Sequence, residues 1–149
     1  KNWNKTLTVN LTAPFFLSKL CSKNMIKNKI KGCIINFTSI GAELAFPNNP
    51  AYQASKAGLK HLTKAMAYDL AKFYIRVNNI VPGYTKTKMN INSWKNKKLR
   101  KNRANRSLLN RWAEPNEMNS AVMFLIDKKS SFVNGIDLKV DGGWTIKGL

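Results

Sequence analysis

The strongest constraint on the fold is an alternation of short apolar runs with longer segments that have helical periodicity. The apolar runs are Cys33–Phe37, 75–81 and 136–140. The periodic segments are 3–29, 51–72 and 117–126. Continuous apolar runs are typical of strands buried on both faces of a parallel sheet, and helices supply the crossovers between such strands. We therefore predict an α/β domain with a parallel sheet, right-handed connections and helices on both faces.

Size and composition agree with one globular unit. The chain has 149 residues, of which 44% are hydrophobic, so it can bury a core and is neither disordered nor collagen-like. Lys and Arg number 26 against 7 Asp and Glu, a net charge of +19. Such an excess admits nucleic acid, an anionic membrane or acidic ligands as partners and selects none of them. A compositional bias toward Lys, Asn and Ile would produce the same balance.

The two cysteines and the first residues bear on compartment. Cys21 and Cys33 stand singly, without a CxxC pattern, so we expect reduced thiols in the cytoplasm and no metal site. No apolar run approaches the roughly 20 residues that a membrane span needs. The chain begins at Lys1 without Met and without the apolar core of a signal peptide, which suggests a fragment or a trimmed sequence.

Three residues after the first predicted strand have the chemistry of a proton-transfer site. Ser39 follows that strand, Tyr52 lies thirteen residues later, and Lys56 follows Tyr52 by four. Residues four apart share one helix face, so the phenol and the ammonium can address one ligand. A nearby ammonium favours the phenolate, which allows Tyr52 to exchange a proton with a carbonyl or alcohol oxygen. Ser39 could donate a hydrogen bond to that same oxygen.

Asn10 and Pro14 suggest a second feature of this site. Proline lacks an N–H, so Pro14 leaves the Asn10 carbonyl without its helical donor. A carbonyl freed in this way can hold an ordered water in a proton relay from Lys56. The alternative is a helix kink without a chemical role.

The chain resembles the classical branch of the short-chain dehydrogenase/reductase family. The matching segments occur in the family's order: 9–11, 35–39, 52–56, 75–78, 82–87 and 140–143. A lone Tyr-x-x-x-Lys pattern is weak, whereas this ordered set is specific and covers nearly the whole chain. The resemblance implies a Rossmann-like, doubly wound parallel sheet that binds its ligand beyond the carboxyl ends of the strands.

The resemblance also implies roles for the four candidate catalytic residues. Tyr52 would be the acid/base, and Ser39 would position the substrate carbonyl. Lys56 would support the phenolate and bind the nicotinamide ribose, next to which Tyr52 also lies. Asn10 would hold the relay water.

A second group would bind the cofactor, NAD or NADP. The resemblance implies that Pro82 and Gly83 lie against the nicotinamide. The backbone at Thr85 and the side chain of Thr87 would contact the carboxamide or a nearby phosphate. The chemistry would be hydride transfer between the nicotinamide and a substrate carbon.

The chain lacks the glycine-rich TGxxxGxG turn and the NNAG motif that family members carry near their start. Residues 1–149 are therefore expected to be the C-terminal part of a single dinucleotide-binding domain without its N-terminal strands. Those strands would hold the pyrophosphate and choose between NAD and NADP. We expect this chain alone to be inactive, and Cys33–Phe37 to be an open apolar edge.

The substrate and the partners stay open on the sequence alone. Residues 111–115 and 141–144 resemble relatives that act on sugar acids or polyols, such as gluconate 5-dehydrogenase-like enzymes, although 3-oxoacyl-[acyl-carrier-protein] reductases share nearly the same motifs. A catalytically silent basic interaction module is the non-enzymatic alternative. The family also implies a homodimer or homotetramer formed through the helices that contain Asn10 and Tyr52.

The basic segment 86–111, with Trp94 inside it, Trp112 just after it and Tyr84 just before it, admits three interpretations. It is a solvated lid over the substrate, a lid for an anionic substrate, or a nucleic-acid surface. The aromatic side chains would line a pocket or pack internally. His61 stands alone and receives no role.

Overall fold

The computed structural model of the chain describes residues 3–147 and has the predicted α/β architecture. The strands are β1 (Cys33–Phe37), β2 (Arg76–Pro82) and β3 (Asp137–Val140). The α-helices are α1 (Trp3–Leu7), α2 (Ala13–Lys27), α3 (Pro50–Leu70), α4 (Ile91–Lys95), α5 (Lys97–Ala104) and α6 (Asn119–Ile126). Lys1 and Asn2, on which the expectation about the chain's start rests, lie outside the described residues.

The sheet is parallel, with the strand order β1-β2-β3. Ile34 pairs with Val77, and Ile80 pairs with Leu138. The carboxyl ends of all three strands therefore meet at one edge. Within residues 3–147, β1 is an outer strand of the sheet, as the sequence predicted.

Helices cover both faces of the sheet, which confirms the prediction of a doubly covered parallel sheet. On one face Met66 and Leu70 of α3 pack with Val77. On the other face Leu125 of α6 packs with Ile80, three residues along β2. Side chains an odd number of positions apart on a strand point to opposite faces, so one strand contributes to both layers.

The first long helix leaves α geometry where Pro14 predicts a disturbance. Residues Thr8–Thr12 form a π-helical segment between α1 and α2, and the N–H of Ala13 donates to the carbonyl of Thr8, five residues back. The widened turn accommodates a proline that can donate no hydrogen bond to Asn10.

The basic segment 86–111 contains the two helices α4 and α5, and Asn96 caps α5 by accepting a bond from the Leu99 N–H at 3.0 Å. One boundary differs from the sequence prediction. The helix expected from Glu117 begins as a 3₁₀ turn, Pro115–Met118, and becomes α-helical at Asn119. The reciprocal cap between Glu114 and Glu117 holds this tighter first turn.

Two findings concern the function classes. No helix within residues 3–147 combines the length and the apolar composition needed to cross a bilayer. The same residues contain no group of three or more His, Cys, Asp or Glu side chains placed to share a metal ion.

Candidate active site

Tyr52 and Lys56 occupy the first turns of α3, which starts at Pro50. Proline fits the first helical position because its missing N–H would have no partner there. The Lys56 Nζ lies 5.8 Å from the centroid of the Tyr52 ring. The four-residue spacing thus places the ammonium beside the phenol, as the sequence predicted.

The Lys56 ammonium reaches the carboxyl end of β1. Its Nζ donates a hydrogen bond to the carbonyl of Phe37 at 2.8 Å. Burial disfavours the charged amine and lowers the pKa of Lys56. A partly desolvated cation therefore sits between Tyr52 and the end of the strand that leads into Ser39.

Ser39 and Tyr52 border the same small space. The Ser39 Oγ accepts a bond from the Gly41 N–H at 3.0 Å, which leaves its own hydrogen available to a ligand. A methyl group placed on Gly41 would lie 3.4 Å from the Ser39 Oγ and 3.6 Å from the Tyr52 Cε1. The Ser39 hydroxyl and the edge of the Tyr52 ring therefore both approach one point beside the Gly41 backbone.

Asn10 is hydrogen-bonded to α3, the helix that carries Tyr52. Its Nδ2 donates to the Ser55 Oγ at 3.1 Å, and that hydroxyl donates to the backbone carbonyl of Tyr52 at 2.7 Å. The structure thus brings the π-helical segment against the start of α3. The expected relay water at the Asn10 carbonyl stays a prediction.

The end of β2 approaches the end of β3 without room for a side chain. The Gly83 N–H donates to the Val140 carbonyl at 3.1 Å. A Cβ on Gly83 would lie only 2.8 Å from the Asp141 Cα, so glycine is needed here. The buried Thr85 hydroxyl donates to the Gly83 carbonyl at 3.2 Å and holds the chain as it leaves the strand.

Thr87 carries a buried hydroxyl that is unpaired among the described residues. Its Oγ1 is buried and has no hydrogen-bond partner within residues 3–147. Buried hydroxyls normally find a partner, since leaving one unpaired costs about 1–3 kcal/mol. An amide or phosphate group at this position would satisfy the hydroxyl, so the residues after β2 fit the predicted nicotinamide cofactor.

The structure adds Gln53, which the sequence analysis missed. Its side-chain amide accepts from the Phe46 N–H at 2.8 Å and donates to the Phe46 carbonyl at 2.7 Å. A bidentate clamp of this kind fixes the loop that follows Ser39. The only signal in the sequence is the polar residue next to Tyr52, and its partner lies in a loop without periodicity.

Glu43 connects that same loop to α3 and β3. Its carboxylate contacts the Lys60 Nζ at 2.6 Å and the Lys139 Nζ at 2.8 Å. Hydrogen bonds from Lys139 and Lys60 lower the pKa of Glu43. The pairing of three charges from three elements holds the site loop on the sheet edge.

The aromatic residues around the basic segment pack against one another. Tyr84 lies 5.0 Å from Trp112 and 4.9 Å from Trp144, measured between ring centroids, and Trp94 lies 5.5 Å from Trp112. The sequence left open whether such rings pack internally or line a pocket. All three rings pack against another ring, and Tyr84, together with Trp144, also lines a cavity of about 100 Å³ beside Gly83.

The comparisons with known proteins agree with this geometry. A family model described as "Enoyl-(Acyl carrier protein) reductase" matches residues 1–145. The 5-keto-D-gluconate 5-reductase of Escherichia coli is 38% identical over 146 residues, which are 98% of this chain and 57% of that protein. The gluconate 5-dehydrogenase of Gluconobacter oxydans is 35% identical with the same coverage. The chain thus spans less than two thirds of the relatives it matches.

Solved structures show the same relationship. A gluconate 5-dehydrogenase from Burkholderia cenocepacia, in complex with NADP and tartrate, superimposes with a TM-score of 0.95 at 34% identity, over 98% of this chain and 57% of that one. A 4-hydroxyisoleucine dehydrogenase complexed with NADH gives 0.95 at 38% identity, over 98% and 60%. By sequence and by fold, the chain belongs to the short-chain dehydrogenase/reductase family.

Proposed function

We propose that the protein to which this chain belongs is an NAD(P)-dependent oxidoreductase that interconverts a secondary alcohol and a ketone. One observation carries the proposal: the Ser39 hydroxyl and the Tyr52 ring approach one point beside Gly41, and the half-buried Lys56 ammonium lies beside the phenol. A hydrogen-bond donor, a proton-exchanging phenol and a fixed cation are what a developing alkoxide requires.

The residues of this chain would handle the proton and the oxygen. In the reducing direction, Ser39 donates a hydrogen bond to the substrate carbonyl, and Tyr52 gives its phenolic proton to that oxygen. The Lys56 ammonium stabilises the resulting phenolate through its nearby charge. Reprotonation of Tyr52 completes the cycle, and we assign its relay to Lys56 and the Asn10 carbonyl.

The cofactor would lie across the ends of β1 and β2. When bound, NAD(P) supplies the hydride-transfer chemistry. Thr87 would satisfy its buried hydroxyl on the cofactor, and Pro82, Gly83 and Thr85 would form the wall beside the nicotinamide. Because Gly83 has no side chain, its backbone can lie directly against the backbone of Asp141 in this wall.

A sugar acid or polyol is the substrate class that the relatives favour. The names 5-keto-D-gluconate 5-reductase and L-xylulose reductase point to such a substrate, and cyclopentanol dehydrogenase names a simple secondary alcohol. All three names specify chemistry at an alcohol or carbonyl carbon. A 3-oxoacyl thioester is the alternative substrate, and the assay below includes one.

The test is Tyr52→Phe in the protein of natural length, assayed by NAD(P)H absorbance with gluconate, cyclopentanol and a 3-oxoacyl thioester. Removing the proton donor should lower kcat by about 10²- to 10⁴-fold. Tyr68→Phe is the matched control, since Tyr68 lies on the same helix and is 86% exposed. Equal activity of the two variants would contradict the proposal and favour a silent basic module. The chain of residues 1–149 alone is expected to be inactive.

We further propose a cytoplasmic homo-oligomer. Phe16, Leu17 and Leu20 leave 53–64% of their surface exposed on α2, an apolar stripe that a second copy would cover. Light scattering should give a dimer or tetramer, and Leu17→Lys with Leu20→Lys should release monomers. A monomeric parent protein would refute this arrangement.

A further inference from the structure

Two arginines from the basic segment lie over aromatic rings near the site. The Arg103 guanidinium carbon is 4.7 Å from the centroid of Tyr84, and that of Arg106 is 5.6 Å from the centroid of Trp144. Trp144 is buried with Val81 at the carboxyl edge of the sheet, and Tyr84 packs on this cluster. The two cations therefore cover the apolar group beside the candidate active site.

Neither guanidinium has an anionic partner within residues 3–147. The neighbouring carboxylates are already engaged: Glu117 pairs with Arg111 at 2.6 Å, and Glu114 lies 3.6 Å from Lys86. The Asp141 carboxylate accepts bonds from the Gly143 and Thr145 N–H groups, each at 2.9 Å. The N–H donors of Arg103 and Arg106 thus have no carboxylate acceptor among the described side chains.

A short series of contacts links Arg103 to the catalytic space. The Phe46 and Tyr84 rings meet edge to face at a centroid distance of 6.4 Å. The Phe46 Cδ2 would lie 3.6 Å from a methyl group on Gly41, at the point that also contacts Tyr52. Arg103 lies over Tyr84, the second ring of this series, so three successive contacts join its guanidinium to the point beside Tyr52.

We propose that Arg103, with Arg106 beside it, binds the carboxylate of an anionic substrate whose alcohol or ketone carbon lies at Tyr52. This rests on the proposed function and names the residues that set its specificity. Cation–π attraction holds a guanidinium over a ring, and its N–H donors can still form a bidentate pair with a carboxylate. The half-buried position of Arg103 limits solvent competition for that pair.

The kinetic test compares an anionic with a neutral substrate, gluconate and cyclopentanol, in the protein of natural length. For Arg103→Gln we expect kcat/KM to fall by about 10- to 100-fold with gluconate and to change less than about threefold with cyclopentanol. Arg103→Lys should recover only part of the loss, because an ammonium lacks the planar fork. Lys101→Gln, which removes the same charge from an exposed position of α5, should leave both substrates unaffected.

A binding measurement separates this inference from the proposed function. The arginines lie over Tyr84 and Trp144, so gluconate should change the tryptophan fluorescence of the protein in the absence of turnover. Saturable titration by gluconate that is weakened in Arg103→Gln supports the inference even if Tyr52→Phe retains activity. An equal loss for both substrates, or an unchanged titration, overturns it. A stronger response to inorganic phosphate than to gluconate at equal ionic strength would assign the site to a phosphate group and refute the carboxylate.

Discussion

The junction between the ends of β2 and β3 allows a stability prediction at one atom. Replacing Gly83 by Ala adds a Cβ that would lie 2.8 Å from the Asp141 Cα and 3.0 Å from the Asp141 carbonyl oxygen. Carbon atoms pack at about 3.5–4.0 Å. The obstructing atoms belong to the backbone, so no side-chain rotation can relieve the contact, and the two strand ends must separate.

The expected destabilisation follows from what that separation breaks. Overpacking in a close-packed region costs about 1–3 kcal/mol. The bond from the Gly83 N–H to the Val140 carbonyl spans the same junction, and its loss adds about 0.5–1.5 kcal/mol. Alanine restricts the unfolded chain more than glycine does, and this offsets about 0.4–1 kcal/mol of the destabilisation. We expect a net loss of about 0.5–4 kcal/mol in the free energy of unfolding, or roughly 1–16 °C in Tm.

Urea and thermal denaturation of Gly83→Ala, followed by circular dichroism, measure this loss. Gly41→Ala is the matched control: the same substitution, also at the carboxyl edge, where the added carbon meets nothing nearer than 3.4 Å. That variant should keep its stability within about 1 kcal/mol, because alanine fits there at ordinary contact distance. If the two variants unfold at the same midpoint, the packing argument for Gly83 is wrong.

Three further predictions concern charges and bonds around the site. Burial lowers the pKa of Lys56, so between the lowered and the ordinary pKa the unfolded chain binds more protons than the folded chain. As the pH rises through this window, the wild type should therefore gain stability relative to Lys56→Met. A difference in urea midpoints that does not change with pH would contradict this. The bonds from Lys139 and Lys60 lower the pKa of Glu43, so its stabilisation is present above the unfolded pKa and lost as pH falls through the folded one. Glu43→Gln should therefore be less stable than the wild type at pH 7 and equal to it in acid, as acid titrations of unfolding would show. Gln53→Leu removes both bonds to the Phe46 backbone and should cost about 1–3 kcal/mol while raising KM for the substrate, whereas unchanged values would show that the loop is held without it.

The sheet and the positions of the candidate site residues could be predicted because the signals that place them are local. A strand buried on both faces must be continuously apolar, and the predicted run at Cys33–Phe37 coincides with β1. Parallel strands end at a common edge of the sheet, so the sequence alone placed Ser39, after β1, and Gly83, after β2, at that edge. The four-residue spacing of Tyr52 and Lys56 likewise follows from helix geometry alone.

Helices α4 and α5 and the Gln53 clamp could not be predicted because their stabilising contacts come from distant parts of the chain. α5 is almost entirely polar, and it is held by the Trp112 indole, which donates to the Arg100 carbonyl at 3.0 Å. Gln53 could be recognised as a clamp only after the loop had placed the Phe46 backbone against it. Helical periodicity indicates which residues face a core. By contrast, α5 is held by the Trp112 side chain, and the loop after Ser39 is held through the Phe46 backbone.

The position of α3 along the sheet, and therefore of Lys56 within the site, depends on buried polar groups. Thr63 lies two helical turns beyond Lys56 on the same face; its hydroxyl accepts from the Asn36 Nδ2 at 2.8 Å and donates to the Asn79 Oδ1 at 2.7 Å. Apolar contacts tolerate a small slide of the helix, but each unpaired buried polar group costs about 1–3 kcal/mol. Sliding α3 by one residue would break both bonds at once. This polar pairing therefore fixes the distance from the Lys56 ammonium to the end of β1, on which the proposed proton transfer depends.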